Sequence, residues 1–540
     1  MRRALIPCLA VTGLVACARG PGPSEGVGAT ETVEVKVVAF NDFHGNLGVP
    51  KPWKTKDGEV PSGGVGYFAA HVAKLRAQNP NNVVVSAGDL IGASPLTSSL
   101  FHDEPTIEAM NMIGLDINGV GNHEFDEGPK ELVRMKAGGC HPEDGCKTGH
   151  EFEGARFAFL AANVVDDHTK EHFFPPYEIK ERAGIPIAFI GMTLENTPAY
   201  VPPVVKGLQF LDEADTVNHL VGKLRDQGVE AIVVVVHEGG FIPGDYDECG
   251  GISGPIVDIV KRLDPEVDLV VSGHTHQAYN CEIDGRRVTS AGCYGRLITD
   301  IDLTLDPKTR DVVKVSAKNV LVTHDVEPTA DLSGLEQHYA EAAAPLANRP
   351  IGQLSAPIGK DENEHGESPL GSVIADAQLE ATQPADKGAA DLAFMNTGGI
   401  RTGLDKVGPV TYEDLFAVHP FGNSLVTVTL TGAQIHQALE EQWGEDRVRF
   451  LQPSSTLRYV YTDEAVGGVH VPVETVTIGG KPLDLKKGYR VTLNNYLAER
   501  GIFKQGTDPL PGVLDLDALE AYVEAHSPLA PPTPGRLMRK

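Results

Sequence analysis

The strongest constraint on the fold is a repeated pattern of short apolar runs, each of which ends in a polar loop. From residue 33 to about residue 325, runs rich in Val and Ile alternate with helical stretches. Strands that are buried on both faces have this composition, and their alternation with helices is typical of layered α/β proteins. The runs cover residues 33–40, 83–86, 117–120, 231–236 and 267–271. The sequence therefore predicts an α/β fold with buried strands.

The loops after these runs carry side chains that can bind metal ions. The donors are Asp42, His44, Asp89, Asn122, His237, His274 and His276. One Asp or His at a strand end is usually a cap or a surface residue. A set of donors spread over five strand exits instead indicates a shared site. Ligands gather at the carboxyl ends of strands in open α/β sheets, so we expect these loops to converge. The sequence therefore predicts a metal centre at this edge.

The mixture of donors indicates two cations rather than one. Two cations about 3.5 to 4 Å apart need a shared carboxylate, and Asp89 is suited to bridge them. Imidazole ligands favour zinc, manganese or similar ions over magnesium and calcium. His123 and Asp126 form a second group directly after the Asn122 donor. A carboxylate beside an imidazole fixes its tautomer, and such a pair can stabilise a transferring phosphate and assist the leaving oxygen.

These segments together resemble the signature of the calcineurin-like metallophosphoesterases. The matching segments are Asp42-x-His44, Gly88-Asp89, Gly121-Asn122-His123-Glu124, His237 and Gly273-His274-x-His276. The resemblance implies a four-layer β-sandwich flanked by helices and a two-metal phosphoesterase activity. It implies that one metal is held by Asp42, His44, Asp89 and His276, and the other by Asp89, Asn122, His237 and His274. It also assigns the catalytic pair to His123 and Asp126.

A second domain is expected after the first. Apolar residues at helical spacing predict a linking helix over residues 331–348, ended by Pro350, and a second α/β domain follows. We expect domains at residues 32–325 and 351–528, a linker at 326–350 and a loose or disordered Pro-rich tail at 529–540. The expected helix covers residues 368–381, and the expected strands cover residues 425–430, 457–461 and 490–493.

Two short segments of this second part resemble the C-terminal domain of 5'-nucleotidases and related nucleotide-sugar hydrolases. The segments run from Asn396 to Arg401 and from Pro420 to Asn423. The resemblance implies that a nucleotide is held by Asn396, Arg401, Phe421, Asn423 and Tyr496, with Phe421 and Tyr496 stacking on the base. Stacking tolerates many bases, so this implies a preference for nucleotides without sharp base selection.

The sequence also departs from the family pattern. Arg500-Gly501-Ile502-Phe503 replaces the usual Gly-Gly-Asp-Gly-aromatic segment, so Ile502 stands where an Asp contacts the ribose. Pro369 to Ser372 occupy the place of another family Arg, for which Arg500 is a candidate substitute. The first hypothesis is a 5'-nucleotidase that also cleaves nucleotide sugars or diphosphates. The alternatives are a phosphoesterase for cyclic nucleotides, 3'-nucleotides or other phosphoesters, and a non-catalytic binding lipoprotein.

The first residues have the layout of a bacterial export signal. Arg2 and Arg3 precede an apolar run, and residues 14–17 resemble a lipobox whose Cys17 would carry the lipid anchor. We expect a signal peptide at residues 1–16, a tether at 17–31, and a lipoprotein that faces the periplasm or the cell surface. Export permits disulfides, and Cys140–Cys146 followed by Cys249–Cys281 are the favoured pairs. The formal charge of −28 disfavours nucleic-acid polymers as partners. The family resemblance implies small phosphoesters, nucleotides above all, as the substrates.

Overall fold

The computed structural model describes residues 32–201, 204–444 and 448–540. Within these ranges, the first part of the chain contains two six-stranded sheets that pack face to face. The first sheet has the spatial order Asp311–Leu321, Leu297–Asp306, Val33–Phe40, Asn82–Ser86, Ile117–Gly119 and Ala158–Leu160. The second has the order Ala278–Ile283, Arg286–Ala291, Leu269–Ser272, Ala231–His237, Ile185–Thr193 and Tyr177–Arg182.

Helices cover the outer face of each sheet. Val65–Arg76, Glu104–Ile113 and Pro129–Ala137 pack on the first sheet, and Glu213–Asp226 and Pro255–Arg262 pack on the second. A core of Val, Ile, Leu and Phe side chains from both sheets fills the space between them. The apolar runs are buried on both faces because each strand has another sheet on one side and helices on the other. This arrangement confirms the predicted four-layer α/β sandwich.

The strands that carry the predicted ligands run in the same direction. In the first sheet, Val33–Phe40 is parallel to Asn82–Ser86, which is parallel to Ile117–Gly119. In the second sheet, Ala231–His237 is parallel to both of its neighbours. Their carboxyl ends therefore lie at one edge of the sandwich, where the polar loops meet. Each of the five predicted runs overlaps an observed strand, with ends that differ by two residues or fewer.

The predicted linking helix is observed as Ala330–Ala347, with Pro345 in its last turn. Its buried residues include Leu332, Tyr339 and Ala343, and the ring of Tyr339 packs on Phe101 of the first domain. Pro350 begins the next strand, Pro350–Leu354, which pairs with Gly408–Thr411.

The first domain also contains smaller elements. Two short helices cover Leu96–Ser99 and Thr197–Tyr200. Two strand pairs join Trp53–Thr55 with Gly58–Val60 and Val164–Asp166 with Leu208–Phe210.

The second domain is also α/β. Its five-stranded sheet has the order Leu451–Pro453, Leu392–Asn396, Gly488–Asn494, Ser424–Thr431 and Thr507–Leu514. Its helices are Pro369–Thr382, Tyr412–Val418, Gly432–Glu440, Asn495–Ala498 and Asp515–Ala525. Thr411 and Thr431 begin two of these helices with reciprocal side-chain and backbone hydrogen bonds, which satisfy amide groups that the helix itself leaves open.

The expectation of a loose or disordered C-terminal tail is wrong. Leu537–Arg539 forms a strand parallel to Leu457–Tyr461, at the edge of a sheet completed by Thr477–Ile478 and Lys481–Pro482. Arg536 is buried, and its guanidinium donates to the Asp376 carboxylate at 2.6 Å and to the carbonyl of Pro453 at 2.8 Å. The Pro-rich composition gives no sign of these contacts, because they are made with residues far away in the sequence.

Both predicted disulfides, Cys140–Cys146 and Cys249–Cys281, are present, and Cys293 is a buried free thiol. The predicted signal peptide, lipobox and tether lie outside the described residues. Among the described residues, every helix is too short or too polar to span a bilayer.

Candidate active site

Six of the seven predicted metal ligands form two groups of close donor atoms at the edge where the parallel strands end, and the seventh, Asn122, is buried. Asp89 is central, because its Oδ2 atom lies 3.0 Å from Nε2 of His237 and 3.6 Å from Nε2 of His44. Asp42, His44 and His276 form one group of close donor atoms, and Asp89, His237 and His274 form another. Asp42 Oδ1 lies 3.3 Å from Nε2 of His276, which in turn lies 3.1 Å from Nε2 of His44. A bridging carboxylate with imidazoles on both sides is the arrangement expected of a two-metal centre.

Backbone carbonyls fix the orientation of two of these imidazoles. His44 donates from Nδ1 to the carbonyl of Gly92 at 2.8 Å, and His237 donates from Nδ1 to the carbonyl of Ala87 at 2.7 Å. These bonds place a proton on Nδ1, so in the neutral form of each ring Nε2 carries the lone pair and faces the carboxylates. Hydrogen bonds of this kind from the far nitrogen orient metal-ligating histidines in proteins.

Several polar atoms of the site are buried without a hydrogen-bond partner. They include Oδ1 of Asp42, both side-chain heteroatoms of Asn122 and Nε2 of His237. Nε2 of His237 lies 3.0 Å from Oδ2 of Asp89. These two atoms attract each other only when a proton or a metal cation lies between them. Leaving such groups unpaired costs about 1 to 3 kcal/mol each. The residues present therefore fit bound divalent cations.

The backbone of the site is strained. Asp42, His44, Asp89, His274 and His276 all have positive φ angles, from 47 to 71°. Non-glycine residues rarely adopt this left-handed conformation, and residues that do so cluster at active sites and ligand sites. The close contacts around the strand exits hold these residues in place. Their strain is an independent indication that this edge is functional.

Electrostatics within the cluster favour positive charge next to Asp89. Burial alone would raise the pKa of Asp89, but the imidazoles of His237 and His123 hold this pKa well below its ordinary value. Burial alone would lower the pKa of His237, but the Asp89 carboxylate raises it to about 10. Burial, followed by repulsion from His237, lowers the pKa of His274 to about 3. The site thus attracts a proton or a divalent cation at its centre and keeps a neutral imidazole beside it.

His123 and Asp126 lie together, as the predicted pair requires. Nδ1 of His123 lies 2.9 Å from Oδ2 of Asp126, and this oxygen also accepts from the amide of Ala93 at 3.1 Å. The amide of His123 donates to Oδ1 of Asp89 at 2.8 Å, so the pair is tied to the metal cluster. The carboxylate fixes the proton on Nδ1 and leaves Nε2 directed toward the cleft between the domains.

The second domain brings Arg401 and Phe421 to this pair. Nη2 of Arg401 donates to Nε2 of His123 at 3.2 Å, and the Arg401 guanidinium lies 4.9 Å from the centre of the Phe421 ring. The Phe421 ring stacks near the His123 ring with a centroid distance of 5.8 Å. Two of the five predicted substrate residues therefore lie beside the predicted catalytic pair.

The other predicted substrate residues make different contacts. Asn396 accepts a hydrogen bond from the side chain of Asn494 at 3.0 Å, and the carbonyl of Asn423 accepts from the amide of Asp515 at 2.8 Å. The Tyr496 ring lies under the guanidinium of Arg500 at 4.2 Å. Ile502 is 3 % exposed and packs in the apolar core of the second domain, so its side chain does not face the cleft.

Two residues that position the site were not assigned a role from the sequence. The buried carboxylate of Glu124 accepts from the amides of Asp89, Leu90 and Gly121, which joins two of the metal-binding loops. Tyr294 donates from its amide to the carbonyl of Asp42 at 2.7 Å, and its ring packs edge-on against His44 and His276. Glu124 could have been found as an acidic residue within the matched motif, whereas Tyr294 has no sequence signal.

The fold and the clustered donors agree with the calcineurin-like metallophosphoesterase class that the sequence predicted. Two family models match the chain: the calcineurin-like phosphoesterase model over residues 35–278, and the 5'-nucleotidase C-terminal domain model over residues 350–504. The chain therefore belongs to the 5'-nucleotidase family, in which a calcineurin-like phosphoesterase domain precedes this C-terminal domain.

Similar proteins span most of the chain. Endonuclease YhcR of Bacillus subtilis is 33% identical over 523 residues, which cover 94% of this chain but only 41% of YhcR. The 5'-nucleotidase of Vibrio cholerae is 26% identical over 577 residues, covering 98% of this chain and 96% of that protein. The crystal structure of a 5'-nucleotidase precursor from Thermus thermophilus is 26% identical, with a TM-score of 0.77 and coverage of 94% of this chain and 99% of that one.

Proposed function

We propose that this protein hydrolyses phosphate esters of nucleotides, with 5'-nucleotides as the preferred substrates and nucleotide sugars or diphosphates as further ones. Two divalent ions such as zinc or manganese would be held, one by Asp42, His44, Asp89 and His276, the other by Asp89, Asn122, His237 and His274. The observation that carries the proposal is the position of Asp89 between the imidazoles of His44 and His237, next to buried polar atoms that lack partners.

The residues of the chain would divide the chemistry between them. Bound divalent ions neutralise phosphate oxygens and lower the pKa of a water near phosphorus. His123, oriented by Asp126, presents Nε2 to the cleft, and this nitrogen, when it carries a proton in place of the Arg401 hydrogen bond, can deliver that proton to the leaving oxygen. Arg401 adds a fixed positive charge beside that nitrogen, where negative charge develops during phosphoryl transfer. Together these groups favour the transition state over the bound ester.

The substrate side chains would come from the second domain. Phe421 already lies beside His123, and we propose that Phe421 and Tyr496 stack on the base while Asn396 and Asn423 bind the nucleoside. Stacking against aromatic rings contributes about 1 to 3 kcal/mol per base. A nucleotide would then reach from the metal centre into the second domain, which explains why both domains border the cleft.

One observation favours a second substrate class. Position 502 is an isoleucine buried in the core, so it offers no carboxylate to a free ribose hydroxyl. A ribose whose 2' or 3' oxygen carries a phosphate does not need such an acceptor. Hydrolysis of 3'-nucleotides or 2',3'-cyclic nucleotides is therefore the alternative reaction of the same centre.

We further propose that the protein is exported and held at the cell envelope by a lipid on Cys17. The two disulfides support this location, since structural disulfides persist in oxidising compartments and are rare in the cytosol. Mass spectrometry of the mature N-terminus would test the proposal, and an unmodified Cys17 in the mature protein would contradict it.

The substrate is tested by chromatography of the hydrolysis products of 5'-, 3'- and cyclic nucleotides, nucleotide sugars, simple phosphomonoesters and a DNA oligonucleotide, with added manganese or zinc. Asp89→Asn is the control, because the amide keeps the shape of the side chain but removes the shared charge. Preference for 5'-nucleotides that is lost in Asp89→Asn supports the proposal. Activity confined to other esters supports the alternative reaction. The absence of any metal-dependent hydrolysis would favour a non-catalytic binding protein.

A further inference from the structure

Arg500 makes two contacts with the first domain and one with a ring of its own domain. Its Nε atom donates to the carbonyl of Ala199 at 2.7 Å, and Ala199 belongs to the first domain. Its guanidinium lies 4.2 Å from the ring centre of Tyr496 and 5.2 Å from that of Tyr200. The cation therefore packs between an aromatic ring of the second domain and one of the first.

This contact reaches the metal centre. The Tyr200 ring meets the imidazole of His274 edge-on, with a centroid distance of 4.8 Å and an interplanar angle of 82°. Tyr496, Arg500, Tyr200 and His274 thus form a continuous series of contacts from the substrate segment to a proposed metal ligand. A cation beside aromatic faces is attracted by the electron density of the rings.

The local backbone explains why Arg500 reaches the first domain. Ile502 is directed into the core of the second domain, and its amide donates to the Glu441 carboxylate at 3.1 Å. Arg500 precedes the short 3-10 helix Gly501–Gln505 and points the opposite way, toward Ala199. The segment that departs from the family pattern therefore places a cation at the domain boundary.

We propose that Arg500 is a positioning residue that holds the second domain against the first, so that Arg401 and Phe421 stay beside His123. The inference rests on the proposed nucleotide hydrolysis. The Arg500 contacts and the Arg401 contact with His123 cross the same boundary, and loss of one set loosens the other. A nucleotide depends on both Arg401 and Phe421, whereas a small aryl phosphate does not use Phe421, so the loss of Arg500 slows nucleotide hydrolysis more than aryl phosphate hydrolysis.

The kinetic test compares Arg500→Ala, Arg500→Lys and the control Arg458→Ala, whose arginine donates to the carbonyl of Gly535 within the second domain. In Arg500→Ala we expect kcat/KM for a 5'-nucleotide to fall about tenfold, since a charged hydrogen bond and two ring contacts are lost. Arg500→Lys should recover most of this loss. Hydrolysis of p-nitrophenyl phosphate should fall less than hydrolysis of the 5'-nucleotide, and Arg458→Ala should match the wild type on both substrates.

A second measurement reads the domain arrangement without catalysis. Lys51 and Asp405 form an exposed ion pair across the domain boundary, so Lys51→Cys with Asp405→Cys provides a cross-link that reports closure. The rate at which the two introduced cysteines form a disulfide should fall several-fold when Arg500→Ala is added. Adding Arg458→Ala should leave this rate unchanged. An unchanged cross-linking rate, or an equal loss of activity on both substrates, would overturn the inference. Failure of the proposed nucleotide activity would leave the cross-linking result intact, so the two failures are distinguishable.

Discussion

Nη2 of Arg401 lies 3.2 Å from Nε2 of His123, although 278 positions separate the two residues in the sequence. The contact joins the second domain to the proposed proton donor of the first. Because Nδ1 of His123 is held by Asp126, the nitrogen that faces Arg401 is also the one available to a leaving group. Residues of both domains therefore form one site.

Removing the His123 imidazole should slow hydrolysis without emptying the metal centre. We expect His123→Ala to lower kcat by about 10² to 10⁴-fold, the range that a positioned acid or base contributes. Asp126→Asn should have a smaller effect, because the amide keeps part of the hydrogen bond to Nδ1. Steady-state kinetics and metal analysis by mass spectrometry check this. A loss of bound metal in His123→Ala would show that its role is structural.

Placing an acid at position 502 should damage the fold rather than supply a ribose contact. Ile502 lies in the core of the second domain, so Ile502→Asp buries a carboxylate without a partner and should cost about 3 kcal/mol or more of stability. Ile502→Val removes one methylene and should cost about 1 kcal/mol. Calorimetric unfolding of both variants tests this. If the Ile502→Asp protein had normal stability and bound nucleotides more tightly, the placement of residue 502 in the core would be contradicted.

The C-terminal strand should stabilise the second domain through Arg536. This arginine pairs with Asp376, whose side chain is 14 % exposed, and donates to backbone carbonyls, so Arg536→Ala leaves this largely buried carboxylate without a cation and should cost about 3 kcal/mol. Arg539→Ala is the matched control, because Arg539 pairs with Asp463 at the exposed surface and should change stability by less than about 1 kcal/mol. Equal effects of the two substitutions in urea unfolding would contradict the prediction.

The stability of the first domain should depend on pH through Asp268. Burial raises the pKa of Asp268 to about 8, although its carboxylate accepts from the amide of Ile232 at 2.8 Å. Between the ordinary carboxyl pKa of 3.8 and this value, the folded state binds more protons than the unfolded state. The free energy of unfolding should therefore decrease as pH rises from about 5 to 8.

Asp268→Asn keeps an acceptor for the Ile232 amide and removes the titration. Its stability relative to the wild type should increase from pH 5 to pH 8, as measured by urea unfolding at each pH. A constant difference between the two proteins would show that the carboxylate is already ionised in the folded state at pH 5.

The sequence by itself predicted the buried strands, their polar exits and the identity of the candidate donors. These features are local, because a strand buried on both faces must be apolar along its length, and donors at parallel strand ends converge wherever the sheet forms. The disulfide pairs were also accessible, since one of them joins cysteines only six positions apart across a turn.

Only the tertiary structure placed Arg401 and Phe421 beside His123, Arg500 against Ala199, and Tyr294 over the metal cluster. It also ordered Arg536 in a tail whose composition predicts a loose end. Each of these contacts joins residues that are distant in the sequence and depends on how complete sheets and domains pack together. Local periodicity determines which segments fold, whereas packing between segments decides which side chains meet.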